Sequence, residues 1–502
     1  MKKSLMARQK YLWIPISKEK DIKEVKISVG EELMWVFQVS IDMATIETVY
    51  KNDYYTEINI EKYAGKVITI EGEVPKAFLN AVMQDDEPPK ETEEPACVHF
   101  SAKSGWINDP NGLYYQNGIY HLYFQYNPFN TIWENMSWGH AISTDMLHWT
   151  QLDSVLYPDR DGTVYSGCAV LNERGLLNLP KDIPLFFYTC AGGRNSWSIG
   201  KKFTQKLAYS LDGGNTLIRM DGVLVDHIVD ENRDPKVYWH EELEKYYMIL
   251  YLTGYDYAIF NSEDLQHWEM TQKFTLNQCW ECPDLRKVPD GKGGRWVFWC
   301  ADGFYCTCDF DGKQITKMSE VKSAYKTTLP YAAQTFYGVE DRVIILPWMR
   351  TGNKNCSYTG MMGLPRELEI VNQNGVEVLV QRPIREYYAN RKEVGLPIIC
   401  EENTAVEVEL DLGTSEKAYV DVFGTVYGYD GETGICIAGT KEVMLEKNLH
   451  QLSFLIDKEL VEISALEYTL YAAVETESLK QQGTIFVKSA DEGTKITAYL
   501  SR

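Results

Sequence analysis

The sequence lacks any run of the roughly 18 apolar residues that a membrane-spanning helix requires, and long amphipathic helical patterns are scarce. Basic residues are in deficit. With 50 Lys plus Arg against 72 Asp plus Glu, the formal charge is −22, a balance that repels phosphate backbones and anionic headgroups. Nucleic acid and membrane surfaces are therefore poor partners. Cysteine is sparse and odd in number, 11 in 502 residues, unlike the dense frameworks of small secreted domains. Reduced thiols in a cytoplasmic protein are the expectation. Cys279/Cys282 and Cys306/Cys308 are near pairs, but the second spacing is not the usual zinc pattern, so buried thiols are the simpler reading and no metal is expected. The chain begins Met1-Lys2-Lys3, yet its best nearby apolar run, Tyr11 to Ile16, contains Pro15 and is followed by no small-residue cleavage site. No export signal is expected.

What the chain does have is aromatic residues, 13% of the total with 33 tyrosines and 13 tryptophans, and frequent glycine turns. Both favour strands. Residues 1–83 carry short strand patterns such as Val25 to Val29 and Val67 to Ile70, which predict a small β-sandwich. The charged, proline-rich stretch 84–95 reads as a linker. Toward the C-terminus Val406, Val408, Leu410 and Leu412 alternate with Glu407, Glu409 and Asp411, and Val461-Glu462-Ile463 repeats the habit. This predicts a second sandwich with one buried and one solvated face. The turn-forming segment Arg382 to Glu393, read as a short helix, divides it from what precedes. The expected domains are 1–95, 96–387 and 388–502.

The middle region repeats itself weakly. Ser143-Thr144-Asp145-Met146-Leu147-His148-Trp149 returns as Ser262-Glu263-Asp264-Leu265-Gln266-His267-Trp268, with a partial echo at Ser210-Leu211-Asp212-Gly213-Gly214. Such spacing suits four-stranded propeller blades, each with a turn where Ser and Asp bond backbone groups and a Trp packs between blades. About 290 residues at that spacing allow five blades. The fold class expected is all-β, with a five-bladed propeller between a small N-terminal sandwich and a C-terminal one.

Three acids sit beside prolines in apolar or aromatic settings: Asp109 in Trp106-Ile107-Asn108-Asp109-Pro110-Asn111-Gly112, Asp234 in Asn232-Arg233-Asp234-Pro235, and Glu281 in Trp280-Glu281-Cys282-Pro283-Asp284. The following proline is expected to hold Asp109 and Asp234 extended, and Pro283 to stiffen the turn after Glu281. One such segment alone is most simply a turn; the three together suggest glycoside hydrolysis, which needs an ionised carboxylate and a protonated one. Amides of Asn108 and Asn111 are expected to favour charged Asp109, and the apolar setting of Glu281 its neutral form. Arg233 is expected to pair with Asp234, an arrangement suited to gripping sugar hydroxyls. Trp106, Tyr126, Trp133, Trp138 and Trp280 are candidates for the apolar faces of a sugar pocket, four of them for closing its base.

The Asp109 segment closely resembles the signature of the β-fructosidases of glycoside hydrolase family 32, the invertase, inulinase and levanase group. Tyr123-Phe124-Gln125-Tyr126-Asn127-Pro128, Trp138-Gly139-His140-Ala141, Tyr165-Ser166-Gly167-Cys168, Arg233-Asp234-Pro235, Trp280-Glu281-Cys282-Pro283 and Leu364-Pro365-Arg366-Glu367-Leu368 resemble further blocks of the family, in family order. The resemblance implies a retaining mechanism through a covalent fructosyl-enzyme, with Asp109 as nucleophile, Asp234 holding sugar hydroxyls and Glu281 as acid/base. Asn108, Gln125, Trp133, Ser166, Arg233 and Trp348 match positions lining the fructose pocket, and no cofactor is implied. The chain departs from the usual Phe-Ser-Gly-Ser at residues 165–168. The expected activity is exo-acting release of fructose from sucrose or small fructans. A fructosyltransferase on the same fold is the first alternative and a non-catalytic sugar-binding propeller the second. A second copy of the chain is a candidate partner, and Trp35 and Phe37 are candidates for packing the N-terminal sandwich on the propeller or on that copy.

Overall fold

In the computed structural model the described residues are all but 45–49, 91–93, 414 and 478–480. Among the described residues nine sheets fall into three groups. The first group is a four-stranded sheet formed by Lys2–Met6, Val67–Gly72, Asp21–Val29 and Glu32–Ile41, facing a three-stranded sheet of Tyr54–Asn59, Tyr11–Ile16 and Met83–Asp85. Residues 84 and 85, read from sequence as linker, thus close a sheet: Gln84 Oε1 accepts from the Arg8 amide at 2.8 Å and Asp86 from that of Lys10 at 2.6 Å. Polar side chains pair this edge because its partner strand offers free backbone donors. Residues 91–93 of the linker reading lie outside the described residues.

Residues 105–383 form five successive sheets whose main strands make antiparallel meanders. The first strands of neighbouring sheets, Gly105–Gln116, Thr163–Leu171, Arg233–His240, Asp284–Val288 and Pro330–Thr335, lie innermost, with Gly105–Gln116 touching both Thr163–Leu171 and Pro330–Thr335. The ring is closed by backbone bonds: Tyr358–Thr359, between strands of the fifth sheet, pairs in parallel with Gly105 and Trp106, and the Tyr115 amide donates to Tyr337 O at 2.9 Å. This is a β-propeller. The sequence repeats occupy equivalent places, the connection between third and fourth strands. Ser143 Oγ accepts from the Met146 amide and Ser262 Oγ from that of Leu265, both at 2.8 Å, while Asp145 and Asp264 each bind their histidine Nδ1 at 2.7 Å. The Trp268 ring packs edge-on against Phe187 of the preceding sheet, 6.1 Å between centroids.

A short helix, Arg385–Asn390, leads into two six-stranded sheets that enclose an apolar core including Val406, Val408, Leu410, Val461 and Ile463. Of the face expected to be solvated, Glu409 and Asp411 are partly exposed, but Glu407 and Glu462 are buried. Glu407, Asp457 and Glu462 are sealed against the propeller, where Glu407 accepts from Tyr387 Oη at 2.9 Å and pairs with Arg391, and Glu462 pairs with Arg366. His99 is held between Asp457 Oδ2 at 2.9 Å and Glu462 Oε1 at 3.2 Å. An alternating strand looks half-solvated whenever its polar face is covered by groups of opposite charge, which period-two patterning cannot show.

Burial alone would lower the His99 imidazolium, but its hydrogen bonds and charge contacts with Asp457 and Glu462 outweigh it and raise the pKa to about 9. Its contribution to stability is full below the unfolded value near 6.5 and is lost as pH rises through about 9. Glu462 is the mirror case. Although burial opposes it, Arg366 and His99 hold its carboxyl down at about 2, so its contribution fades only as pH falls toward that value. The melting temperature is therefore expected to drop between about pH 6.5 and pH 9 in the wild type and to flatten in His99→Gln. Parallel melting curves for the two proteins across that range would contradict the assignment.

The N-terminal sandwich packs on the propeller. Phe37 stacks on Phe129 with centroids 4.0 Å apart, Trp35 and Phe37 both meet the edge of Tyr157, and Phe129 belongs to the sandwich core. Polar bonds frame that contact: Tyr11 Oη and Asn59 Nδ2 donate to the two oxygens of Asp153 at 3.0 and 2.7 Å. A chain starting at Ala96 uncovers Phe129 and Tyr157 together, so it is expected to aggregate or self-associate. A soluble, monodisperse truncation with full activity by light scattering and assay would show that the contact is dispensable.

Candidate active site

The inner strands of four sheets share a local device. Ladder register shifts between Ile107 and Pro110, between Val164 and Gly167, between Arg233 and Lys236, and between Tyr331 and Gln334. A bulge bends a strand and re-aims the side chains on it. Here the re-aimed residues include Asp109, Ser166 and Asp234, and Tyr331 stands at the edge of the fourth. Glu281 comes from the turn just before the inner strand Asp284–Val288. All converge on one cavity of about 310 Å³, lined by Asn108, Asp109, Gln125, Trp133, Ser166, Arg233, Asp234, Glu281 and Trp348. The structure thus brings together the three acids and the six positions read as lining the fructose pocket.

Gly167 illustrates why the motif residues are what they are. A Cβ there would lie 1.9 Å from the Phe187 carbonyl oxygen, and the Gly167 amide donates to Asn111 Oδ1 at 3.0 Å. Asn111 therefore ties two inner strands together and does not donate to Asp109, contrary to expectation. Asp109 instead accepts from Ser166 Oγ at 2.5 Å and Asn108 Nδ2 at 3.2 Å, and Asn108 is itself fixed by Trp106 Nε1 at 2.9 Å. Of the departures at 165–168, Tyr165 lines the cavity, whereas Cys168 turns away and its Sγ accepts from the Val237 amide at 3.2 Å.

Asp234 is left-handed, φ +62°, and not simply extended; Glu281 and Cys282 are also at positive φ, +30° and +44°. Proline constrains its predecessor mainly by excluding the helical region, and a bulge supplies the remaining rotation. Strained backbone of this kind collects at functional sites. The Cys282 amide donates to Asp234 Oδ2 at 3.1 Å, and the Cys282 thiol lies 3.5 Å from both Asp234 Oδ2 and Asp109 Oδ2. Cys282 and Tyr331 are contacts the sequence reading missed. The first stood inside the Trp280-Glu281-Cys282-Pro283 block as a marker; for Tyr331 no local signal existed.

The expected Arg233–Asp234 ion pair is present, and Arg233 has a second and closer partner. Arg233 turns its guanidinium chiefly to Glu281 Oε2, with Nη2 at 2.6 Å and Nε at 3.1 Å, and lies 3.7 Å from Asp234. Tyr331 Oη donates to Glu281 Oε1 at 2.6 Å. Glu281 thus sits among polar donors and not in an apolar niche, because adjacency to Trp280 in sequence does not fix which way the carboxyl points. Burial, and then the charge of Glu281, raises Asp109 despite the Ser166, Asn108 and Cys282 hydrogen bonds. Burial also lifts Asp234 to about 7, against the attraction of Arg233 and with the repulsion of Glu281 and Asp109. Three acids in one cavity cannot all ionise without cost, so a proton is retained among them.

Two further buried atoms matter. Gln125 Oε1 and Trp348 Nε1, both on the cavity wall, lack a hydrogen-bond partner among the described residues. Such atoms cost free energy unless a ligand supplies the missing donor and acceptor, and a hydroxyl supplies either. The aromatic expectation was too broad. Trp133 lines the cavity and is 45% exposed at its rim, whereas Trp138 is wholly buried and Tyr126 Oη points to Ser104 O. These two, with Trp106, support the walls from behind.

The fold and site are thus a β-propeller followed by a β-sandwich, with three acids gathered in one cavity among the inner strands and two of them, Asp234 and Glu281, at positive φ. The Glycosyl hydrolases family 32 N-terminal domain matches residues 99–383, and the chain belongs to that family. It is 32% identical over 326 residues to a fructan β-fructosidase of Streptococcus mutans, covering 58% of this chain and 22% of that protein. It is likewise 32% identical to a levanase of Bacillus subtilis, over 57% of this chain and 46% of the relative, and 35% identical to an invertase of Debaryomyces hansenii, over 57% and 60%. The matched stretch thus spans under two thirds of each relative. In fold, the chain is similar to an exo-inulinase of Aspergillus awamori, with a TM-score of 0.69 at 22% identity over 82% of this chain and 99% of that one. A family 32 glycoside hydrolase of Bifidobacterium adolescentis matches over 100% of this chain and 99% of its own, with a TM-score of 0.66 at 17% identity.

Proposed function

We propose that this chain is a retaining exo-β-fructosidase that releases terminal β-D-fructofuranosyl units from sucrose or small fructans. The observation that carries this reading is the convergence of Asp109 and Asp234, from two sheets, and Glu281, from the turn that enters a third, in one small cavity with unmet hydrogen-bonding capacity on its wall. In this reading each of the five sheets is one blade. Asp109 attacks the anomeric carbon of the fructosyl unit. The Glu281 proton passes to the glycosidic oxygen as that bond breaks, leaving a fructosyl ester on Asp109. Water then adds at the same carbon, gives a proton to Glu281 and frees Asp109. Asp234 grips sugar hydroxyls. Those hydroxyls donate to it and favour its charged form.

Close-packed inner strands beneath the acids, tied by Asn111 to Gly167 and by Asp284 to Thr335, support a pocket closed at its base and hence exo action. Digests of sucrose, kestose, inulin oligomers and levan oligomers by the full chain test this. Free fructose is expected from the first time points. Mid-length fragments ahead of fructose would make the cleft endo-acting, and oligosaccharides formed from concentrated sucrose would favour the transferase alternative.

A further inference from the structure

We infer that the N-terminal sandwich builds a further sugar subsite, so that the enzyme reads fructan chain units beyond the two that flank the scissile bond. The inference rests on the fructosidase reading and deepens it. A second cavity, about 350 Å³, lies between that sandwich and the propeller rim, with Val36 and Gln38 on one side and Glu134, Asn195, Ser196 and Ile199 on the other. It adjoins the catalytic cavity. Arg194 lines both, and Trp133, on the rim of the first, is followed directly by Glu134, in the wall of the second. A chain leaving the carboxylates past Trp133 and Arg194 enters this cleft.

The cleft is built from held parts. Asn135, at φ +48°, clamps the Gln38 backbone from both sides: its Oδ1 accepts from the Gln38 amide at 2.7 Å and its Nδ2 donates to Gln38 O at 2.8 Å. The Gln38 side chain leans on the sandwich itself, its Nε2 donating to Glu24 Oε2 at 3.4 Å. Opposite, the loop carrying Arg194 is folded on itself, with the Ser198 amide donating to Asn195 Oδ1 at 2.7 Å. Ser196 Oγ then ties that loop to the sandwich through Glu24 Oε2 at 2.6 Å. Arg194 is further oriented by Glu231 at 3.0 Å. With the Ser196 hydroxyl and the Asn195 amide spent on holding the loop, the wall presents the Gln38 side-chain carbonyl, the Glu134 carboxylate, the Arg194 guanidinium and the exposed apolar surface of Ile199, which suits a polyol chain presenting hydroxyls and C–H faces in alternation.

The test compares kcat/KM for sucrose with that for a fructo-oligosaccharide of five units, using full-length wild type, Gln38→Ala and the cleft-filling Ser196→Trp. The longer substrate is expected to lose about tenfold, mostly through KM, the scale of one lost hydrogen bond or a blocked subsite, with sucrose changed less than about twofold. Equal losses on both substrates would show that the sandwich only braces the rim, and unchanged values on both would show that the cleft takes no sugar; either result overturns the inference. Wild type that releases fructose from neither substrate would overturn the functional reading itself.

Discussion

Asp109→Ala is expected to lower kcat on every fructoside by on the order of 10⁴-fold or more, with KM little changed and the melting temperature held or slightly raised. Removing a nucleophile removes the covalent route itself, and the loss in such cases exceeds that of a positioning group. The fold should tolerate it. Asp109 is raised by burial and by the charge of Glu281, so its removal relieves repulsion in the free protein, as expected where a site is strained for function. Glu281→Gln is expected to cost roughly 10² to 10⁴-fold, and less on substrates whose leaving group needs no proton. Steady-state kinetics beside calorimetry separate the two effects. Activity of Asp109→Ala within tenfold of wild type would remove Asp109 from the reaction.

The second large effect concerns stability and lies far from the carboxylates. Arg366 is buried at the interface of propeller and C-terminal sandwich, pairs with Glu462, donates to Gln381 O at 3.0 Å, and lies over the ring of Tyr471 at 3.8 Å. Glu462 also binds His99 and accepts from the Leu364 amide at 2.7 Å. Arg366→Met leaves Glu462 charged and short of its cation, a change that costs about 3 to 5 kcal/mol when a buried pair is broken from one side. The double variant Arg366→Met with Glu462→Gln is expected to recover a large part of that loss, since no lone charge stays buried. Melting temperatures across this cycle measure the coupling. Strictly additive losses would mean that the pair is not the fastener described.

How much of this was legible in the sequence depended on the range of the physics involved. Turn chemistry is local, so the Ser143 and Ser262 repeats announced the same corner in two sheets before any sheet was seen. Strand alternation gave the sandwich core through Val406, Val408 and Leu410, but not the fate of Glu407 and Glu462, because what covers a sheet's second face is decided by residues hundreds of positions away. The same limit governed the site. Motif residues identified the acids, yet whether Arg233 faced Asp234 or Glu281 depended on bulges in separate strands, and Tyr331 entered only when the fifth sheet closed the ring. Asn111 was misread for a related reason: it lies beside Asp109 in sequence, but its side chain is turned to Gly167, whose amide donates to its Oδ1.

The packing of Phe37 on Phe129 and the cleft beneath Gln38 give the N-terminal sandwich a place in the same account. It is fastened to the propeller beside the rim and not merely appended to it. Its removal would therefore act on solubility and on recognition of longer chains together, while leaving the three acids in their own sheets.

The central claim is that Asp109, Asp234 and Glu281 perform hydrolysis with retention at fructose. The most direct measurement is NMR of the sugar released in the first minutes from sucrose, before mutarotation. The account predicts β-D-fructofuranose as the first-formed anomer, because two displacements at one carbon restore its configuration. First release of the α-anomer would contradict it.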